Sequence, residues 1–347
     1  MSPATWTKLA LEILYRNFKD SRLPFKYFLV VNKSCGSKCI HCHIWKNKPE
    51  NEMSLDEYRL LAQNSKSNLI WLNISGGEPT DRLDLIEIIE TFLEQCPNLK
   101  IINFTSNGLN FEQLKKVATY LNSLSGKLIG LNISIDGPAD IHDSLRGIPG
   151  GYQKAIDAYK MVRTFSNIKS AAAMTLFPIN HTLVGETIQN LTKDISDFAI
   201  KDLHLNYPHS SGHYYSNTKI SFKNKIDISA VKPYFKRTHF GFSPFEKLER
   251  IYQEKLIEFT ETGKTPIKCA AIRSNIYIAE NGDVYPCTIW DEKLGSLRET
   301  DYNLSSILGL TTSERAKAKI SQKNCPNCWS PCEAFPSLLT DLKGSLI

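Results

Sequence analysis

The chain has 347 residues, 41% of them hydrophobic and 22% charged, with a formal net charge of +6. That length can bury a sizeable core, and that composition excludes a disordered or collagen-like chain. No run of about 18 apolar residues occurs and the N-terminus lacks the charged-then-apolar order of a secretion signal, so no membrane span is predicted and a cytoplasmic location is the expectation. The densest basic stretch, 315–323, reads as a solvated helix face, and no nucleic-acid partner is expected.

A helical period of apolar residues over 5–18 predicts a helix packed across the end of the main domain. Strand patterns follow at 26–31, 69–75, 100–105, 128–135, 169–177 and 202–207. Helical patterns lie between them at 55–65, 83–96, 111–124, 152–165 and 183–198. This alternation predicts a parallel sheet with outer helices, and six such units suggest an open, partial barrel with its chemistry at the carboxyl ends of the strands. A polar, aromatic stretch at 209–218 precedes a predicted helix at 244–262. Asn281-Gly282 then joins two strand-like runs at 274–279 and 283–287, a hairpin signal.

Nine cysteines are the unusual feature. Cys35, Cys39 and Cys42 sit in one short loop; Cys269, Cys287, Cys325, Cys328 and Cys332 lie after residue 268; Cys96 stands alone, in a helical pattern that predicts a buried small apolar role. In a reducing compartment such clusters point to metal or catalytic use rather than disulfides. Three thiolates spaced CxxxCxxC can hold a four-iron cluster with one iron left for a small chelate. The same spacing allows zinc, completed by His41 or His43.

The strand ends carry further polar motifs. Ser75-Gly76-Gly77-Glu78-Pro79 ends the second strand; its glycines permit close backbone approach to a ligand, and Glu78 can pair with an ammonium. Thr105-Ser106-Asn107-Gly108 ends the third strand. Ser134-Ile135-Asp136-Gly137 ends the fourth, followed by His142 and by Arg146, a natural carboxylate partner.

The ordered set CGSKCIHC, SGGEP, TSNG and SIDGPADIHDSLRG resembles the radical S-adenosylmethionine superfamily over roughly residues 25–210. The resemblance implies that Cys35, Cys39 and Cys42 hold a [4Fe–4S] cluster whose open iron is chelated by S-adenosylmethionine. Gly76, Gly77 and Glu78 would line the amine side. Ser134 and Arg146 would contact the carboxylate or ribose, and Asn107 and Asp136 would face the same cavity. His41 stands where the family usually has an aromatic residue, and its flat ring can pack similarly. The implied chemistry is reductive cleavage to methionine and a 5′-deoxyadenosyl radical that abstracts hydrogen from an unactivated C–H bond, with a flavodoxin- or ferredoxin-type electron donor.

The second cysteine group has the spacing C-x12-G-x4-C followed by C-x2-C-x3-C. Alone, this suits a structural zinc ribbon. It resembles the SPASM and twitch extensions of that superfamily. A full SPASM domain has seven cysteines and two auxiliary clusters; the five here imply one auxiliary [4Fe–4S] cluster on Cys269, Cys287, Cys325 and Cys328, with Cys332 as a further candidate. The expected architecture is an N-terminal helix (1–24), a partial (β/α)6 TIM-like barrel (25–263) and a small β-hairpin and helix iron–sulfur domain (264–347).

An auxiliary cluster favours net oxidation or bond formation by an oxidoreductase-like enzyme. The short segment before the first strand favours a small-molecule substrate over a peptide. A peptide or protein side-chain maturase, a non-redox epimerisation or rearrangement, and a zinc-stapled binding protein are the alternatives. Tyr207 and His209 are candidate proton acceptors.

Overall fold

The computed structural model describes residues 23–48, 50–222, 226–235 and 244–340. The helix expected over 5–18 lies outside them. In chain order the elements are β1 (Lys26–Val30), α1 (Leu55–Ser65), β2 (Trp71–Ser75), α2 (Leu85–Gln95), β3 (Ile101–Ser106), α3 (Phe111–Ser123), β4 (Leu128–Ser134), α4 (Ala139–Arg146), α5 (Gly151–Arg163), β5 (Ile168–Lys169), β6 (Ala172–Thr175), α6 (Val184–Asp194) and β7 (Leu203–Asn206). After them come α7 (Pro244–Thr262), β8 (Asn275–Ile278), β9 (Asp283–Tyr285), β10 (Gly295–Ser296), α8 (Leu304–Leu308), α9 (Thr311–Ser321) and α10 (Pro331–Thr340).

Local chemistry sets several of these boundaries. Ser54 and Glu57 form a reciprocal capping box at the start of α1. Leu85, Ile88, Ile89 and Phe92 of α2 are fully buried, each worth roughly 1.5–3 kcal/mol against exposure. The expected strand over 169–177 divides into β5 and β6, because the Asn132 side chain takes the Ala171 backbone N–H at 3.2 Å in place of a ladder bond. The short helix α4 escaped the sequence reading, although Pro138 before it, Gly147 after it and buried His142 and Leu145 on one face mark it.

The strands run in the order β10-β9-β8-β1-β2-β3-β4-β6-β7, with β5 beside β4. Every pair from β8 to β7 is parallel, while β9 is antiparallel to β8 and β10 to β9. The C-terminal hairpin therefore continues the barrel sheet: Lys26 lies opposite Asn275 and Phe28 opposite Tyr277.

The two faces of the sheet differ in chemistry. Ile102, Phe104, Ile129, Leu131 and Ile133 point outward into one continuous apolar core with the helices. The alternate positions point inward, and those midway along β2 to β4 include polar side chains: Asn73 and Asn103 are in register, and so are Thr105 and Asn132, while Trp71 and Ile101 below them and Phe28 and Val30 on β1 are apolar. Thr105 is exposed, and Asn103, Asn132 and Asn206 are half-buried. A barrel filled for stability alone would carry branched apolar residues there.

The bottom of the barrel is closed. Phe335 and Leu339 of α10 pack on Trp71, Ile101 and Phe25. Buried Lys26 donates to the Cys332 carbonyl at 2.6 Å and stands 4.3 Å over the Trp71 ring. Cys332 lies in the first turn of α10, and Cys325 and Cys328 directly precede it, so this floor element carries part of the second cysteine group, while the first group leaves the carboxyl end of β1 at the mouth.

Candidate active site

The first cysteine loop leaves β1 and is held from two sides by backbone. Gly77 N–H donates to the Asn32 carbonyl (3.0 Å) and Glu78 N–H to the Ser34 carbonyl (2.7 Å). On the other side Lys38 and Ile40 donate to the carbonyls of Arg146 and Leu145 at 2.9 and 3.0 Å. The glycines at 76 and 77 exist for this crossing. A Cβ on Gly76 would lie 2.4 Å from Asn32 Oδ1, and one on Gly77 would lie 2.1 Å from the Ser34 carbonyl oxygen. Beside the ligand approach expected of them, these glycines make room for the loop. Gly147 ends α4 with φ 62° and lies under Lys38 in the same way.

Glu78 is buried at 2% exposure and ties three strand ends together. Its Oε1 accepts from Thr80 N (3.2 Å), Thr80 Oγ1 (2.7 Å) and Ser106 Oγ (2.9 Å), while Oε2 accepts from Asn107 N at 2.7 Å. Oε2 thus keeps a free lone pair for a cationic group. Burial raises the Glu78 pKa against these donors. Asn107 also turns its amide toward Cys35 Sγ at 3.8 Å.

Asp136 and Arg146 pair with each other. Arg146 Nε donates to Asp136 Oδ2 at 2.6 Å, the other oxygen takes Thr175 N–H at 2.9 Å, and His142 Nδ1 accepts the Asp136 N–H at 3.1 Å. Burial opposes ionisation of Asp136, and the Arg146 guanidinium overcomes it, holding the carboxyl below the usual carboxylate range. The stabilisation is present at neutral pH and is lost as pH falls through that lowered pKa. Asp136→Asn should cost about 3–5 kcal/mol in urea unfolding at pH 7, because Arg146 loses its buried counter-charge; a loss below about 1 kcal/mol would show that the pair does not hold the site.

The thiols at the mouth are short of positive charge. Burial pushes Cys35 and Cys42 up to about 12 and raises Cys39 as well, with Arg146 the cation that opposes the rise at Cys39. Soft, desolvated sulfurs of this kind become thiolates when metal supplies the charge. His41 stacks on Phe177 at 4.2 Å, and its buried Nδ1 has no partner; burial lowers it to about 4. An orphaned ring nitrogen beside three thiols fits a polar ligand at the mouth. Ser134, at the end of β4, is 8% exposed.

In the second group the cysteines influence one another, although among the described residues no three such side chains converge tightly enough to hold a single metal ion. Cys325 acts electrostatically on Cys269, and Cys269 and Cys287 both act on Cys328. Cys332 stands apart: it packs on Phe28, Val30, Tyr277 and Ala279 at the inner face. Among these cysteines sits a carboxylate that sequence reasoning missed. Glu333 is 3% exposed and accepts from Thr288 N (3.1 Å) and Thr288 Oγ1 (3.0 Å). An acidic residue directly after a cysteine, in an otherwise apolar helix, was the available signal. None of the nine cysteines forms a disulfide.

The 209–218 segment is only partly a lining. Tyr214 packs edge-on to Phe28 (5.3 Å) and bonds Ser75 Oγ at 2.6 Å, and the Tyr215 carbonyl accepts from His43 N–H. His213 bonds the Cys287 carbonyl and Asp291. Tyr207 reaches the Phe222 carbonyl at 3.4 Å. His209 packs on Phe259; its Nε2 is buried and unpartnered, and burial lowers it to about 4. His204 on β7, which belongs to the polar stretch expected near a substrate, bonds Glu249 of α7 at 2.6 Å.

The architecture is an open parallel barrel with three thiols in one loop at its mouth and a second cysteine group in the C-terminal unit. Family models match on both parts: the Radical SAM superfamily over residues 29–190 and the SPASM iron-sulfur cluster-binding domain over residues 269–332. The chain belongs to the radical S-adenosylmethionine superfamily and carries a C-terminal SPASM domain. These domains imply a [4Fe–4S] cluster, an auxiliary cluster and S-adenosylmethionine as cofactors.

Among similar curated proteins is the sporulation killing factor maturation protein SkfB of Bacillus subtilis, 27% identical over 173 residues, which are 49% of this chain and 40% of that protein. The chain thus spans well under half of that relative's length. A probable GTP 3′,8-cyclase of Saccharolobus islandicus is 25% identical over 73% of this chain and 79% of its own. Among solved structures, anSMEcpe with bound AdoMet aligns with a TM-score of 0.56 at 14% identity, covering 91% of this chain and 96% of that one. Streptococcus suis SuiB bound to S-adenosylmethionine aligns at 0.52 and 14% identity, covering 80% and 64%. These likenesses show the partial TIM barrel. No helix among the described residues is long and apolar enough to cross a membrane.

Proposed function

We propose that the chain is a peptide-modifying radical S-adenosylmethionine enzyme that removes hydrogen from a C–H bond and carries out a net oxidation or bond formation. The observation that carries this reading is the inner face of the barrel. It carries the carboxamides of Asn73, Asn103, Asn132 and Asn206; the Asn103 and Asn132 oxygens already accept from Trp71 Nε1 and Ala171 N, while Asn206 Oδ1 is buried and unpartnered. Carboxamides offer both donors and acceptors to an amide backbone. The charged pairs nearby, Asp136–Arg146 and His204–Glu249, are satisfied within the protein. The names of SkfB, a maturation protein, and of SuiB bound to precursor peptide SuiA support a peptide. This moves the reading from the small molecule expected at first. The small-molecule alternative keeps one support, the longer match to GTP cyclases.

In this reading Cys35, Cys39 and Cys42 hold the radical cluster, and S-adenosylmethionine lies against Gly76, Gly77, Glu78, Asn107, Ser134 and His41, with Asp136 and Arg146 fixing the wall behind it. Glu78 Oε2 accepts from the amine, and His41 offers Nδ1. Bound there, the cofactors supply a reductively generated 5′-deoxyadenosyl radical. Cys269, Cys287, Cys325 and Cys328 hold the auxiliary cluster within a unit spanning 264–347, and Cys332 faces the barrel instead. His204, backed by Glu249, and neutral His209 are the bases at hand for a released proton. A flavodoxin- or ferredoxin-type donor and a cytoplasmic setting suit this chemistry.

Cys269→Ala with Cys287→Ala should leave reductive formation of 5′-deoxyadenosine largely intact while substrate turnover falls at least about tenfold; equal loss of both would remove the electron-acceptor role. The substrate is tested with short peptides encoded beside this gene. A peptide that stimulates 5′-deoxyadenosine formation and loses two hydrogens by mass spectrometry supports the reading. Stimulation by nucleotides and by no peptide contradicts it.

A further inference from the structure

The second cysteine group has two unlike sides. Cys287 and Cys328 are buried, at 8% and 9% exposure. Cys269 and Cys325 are half-buried and line a surface pocket of about 400 Å³ together with Thr265, Ile267 and Lys323. A second depression shares Lys268, Cys269, Ile320 and Ser321 with the first and extends to Arg273 and Lys317. Among the described residues no acidic side chain lines either depression. Lys268, Arg273 and Lys323 are exposed, and Lys268 and Arg273 form no ion pair with another described residue.

The pocket opens away from the barrel interior. Helix α10 packs one side against this region, where Ser337 Oγ accepts the Ala270 N–H at 2.9 Å, and its other side on Trp71 and Ile101 through Phe335 and Leu339. A molecule seated in the pocket reaches Cys269 and Cys325 and is cut off from the mouth by the barrel floor. Electrons can pass at such a place; substrate atoms cannot. The charged side chains that line the two depressions are all basic, and among the described residues only Lys317 of them is paired to an acid, Glu314 outside the lining; such a rim steers an oppositely charged partner and acts mainly on its association rate.

We propose that the Lys268–Arg273–Lys323 rim is the docking surface for an acidic one-electron carrier protein, which takes electrons from the auxiliary cluster past Cys269 and Cys325. The proposal rests on the reading of this cysteine group as a cluster site. One electron left on the cluster by substrate oxidation passes to the carrier; a flavin carrier takes it up with one proton from water, and the cluster returns to its oxidised state.

The test uses the full chain with Cys35, Cys39 and Cys42 changed to Ala, so that the second group is the electron source. Iron is counted first, and about four per chain is expected. The protein, reduced with dithionite and freed of it, is mixed with oxidised flavodoxin in a stopped-flow instrument, and the Kd is measured by calorimetry in the same buffers. Adding Lys268→Glu and Arg273→Glu should slow electron transfer about tenfold at low salt and raise the Kd in step, and about 0.5 M NaCl should erase the difference. Cytochrome c, a basic carrier, should instead react faster with the charge-reversed protein. Four irons with unchanged rate and Kd would overturn the docking surface alone. Equal slowing with both carriers would overturn it too, since charge would then not be the cause. An iron count near zero would overturn the cluster reading and the docking surface together.

Discussion

Changing Cys35, Cys39 and Cys42 to Ala is expected to bring reductive formation of 5′-deoxyadenosine down to the level of the protein-free control. Each of these thiols leaves the same loop at the mouth of the barrel, and burial keeps each protonated unless metal is bound. The loop should keep its course without them, because Gly77, Glu78, Lys38 and Ile40 fix it through backbone hydrogen bonds. The variant should therefore fold and retain about four irons from the second group. Anaerobic iron analysis and product chromatography check both. Cleavage at half the wild-type rate or more would mean that the chemistry resides elsewhere.

Gly77→Ala is expected to act almost as severely without removing any ligand. The new Cβ would lie 2.1 Å from the Ser34 carbonyl oxygen and 2.6 Å from its carbon, and both atoms are backbone. Overpacking of this kind costs about 1–3 kcal/mol, and here the easiest relief is displacement of the loop that carries Cys35. Iron should fall by about four per chain, and cleavage should fall with it, while the C-terminal unit is untouched. Gly36→Ala is the matched control in the same loop. Its Cβ would meet only Leu109 Cδ1 at 3.6 Å, so iron and cleavage should stay near wild type. Equal behaviour of the two variants would contradict the close crossing at Gly77.

The parts of this site that are local in sequence were legible. Strand and helix periods placed the barrel, and the strand-end motifs lie where those strands end. Their reasons were less legible. Gly76 and Gly77 suggest clearance for a ligand, and the structure adds a second demand on them, the close crossing of the cysteine loop. Asp136 and Arg146 were read as two ligand contacts, yet they neutralise each other at 2.6 Å. Contacts between distant segments left no periodic trace. β8 pairs with β1 although nearly the whole barrel separates them in sequence, and His204 meets Glu249 across 45 positions. Glu333 was hidden for another reason: a carboxylate beside thiols reads as a surface charge until its burial is seen.

In the proposed reading the two cysteine groups divide the chemistry. Hydrogen abstraction is assigned to the mouth, where His41 and Glu78 keep capacity for a polar ligand. Electron disposal is assigned to the C-terminal cysteines, where Glu333 acts on Cys269, Cys287 and Cys328. The polar inner face lies between them. That arrangement makes the cofactor content of the wild-type chain the most direct test. Reconstituted anaerobically with iron and sulfide, it should bind about eight irons per chain and, on reduction with dithionite, convert S-adenosylmethionine to 5′-deoxyadenosine and methionine in equal amounts. Tightly bound zinc in place of iron, with S-adenosylmethionine left intact, would contradict it.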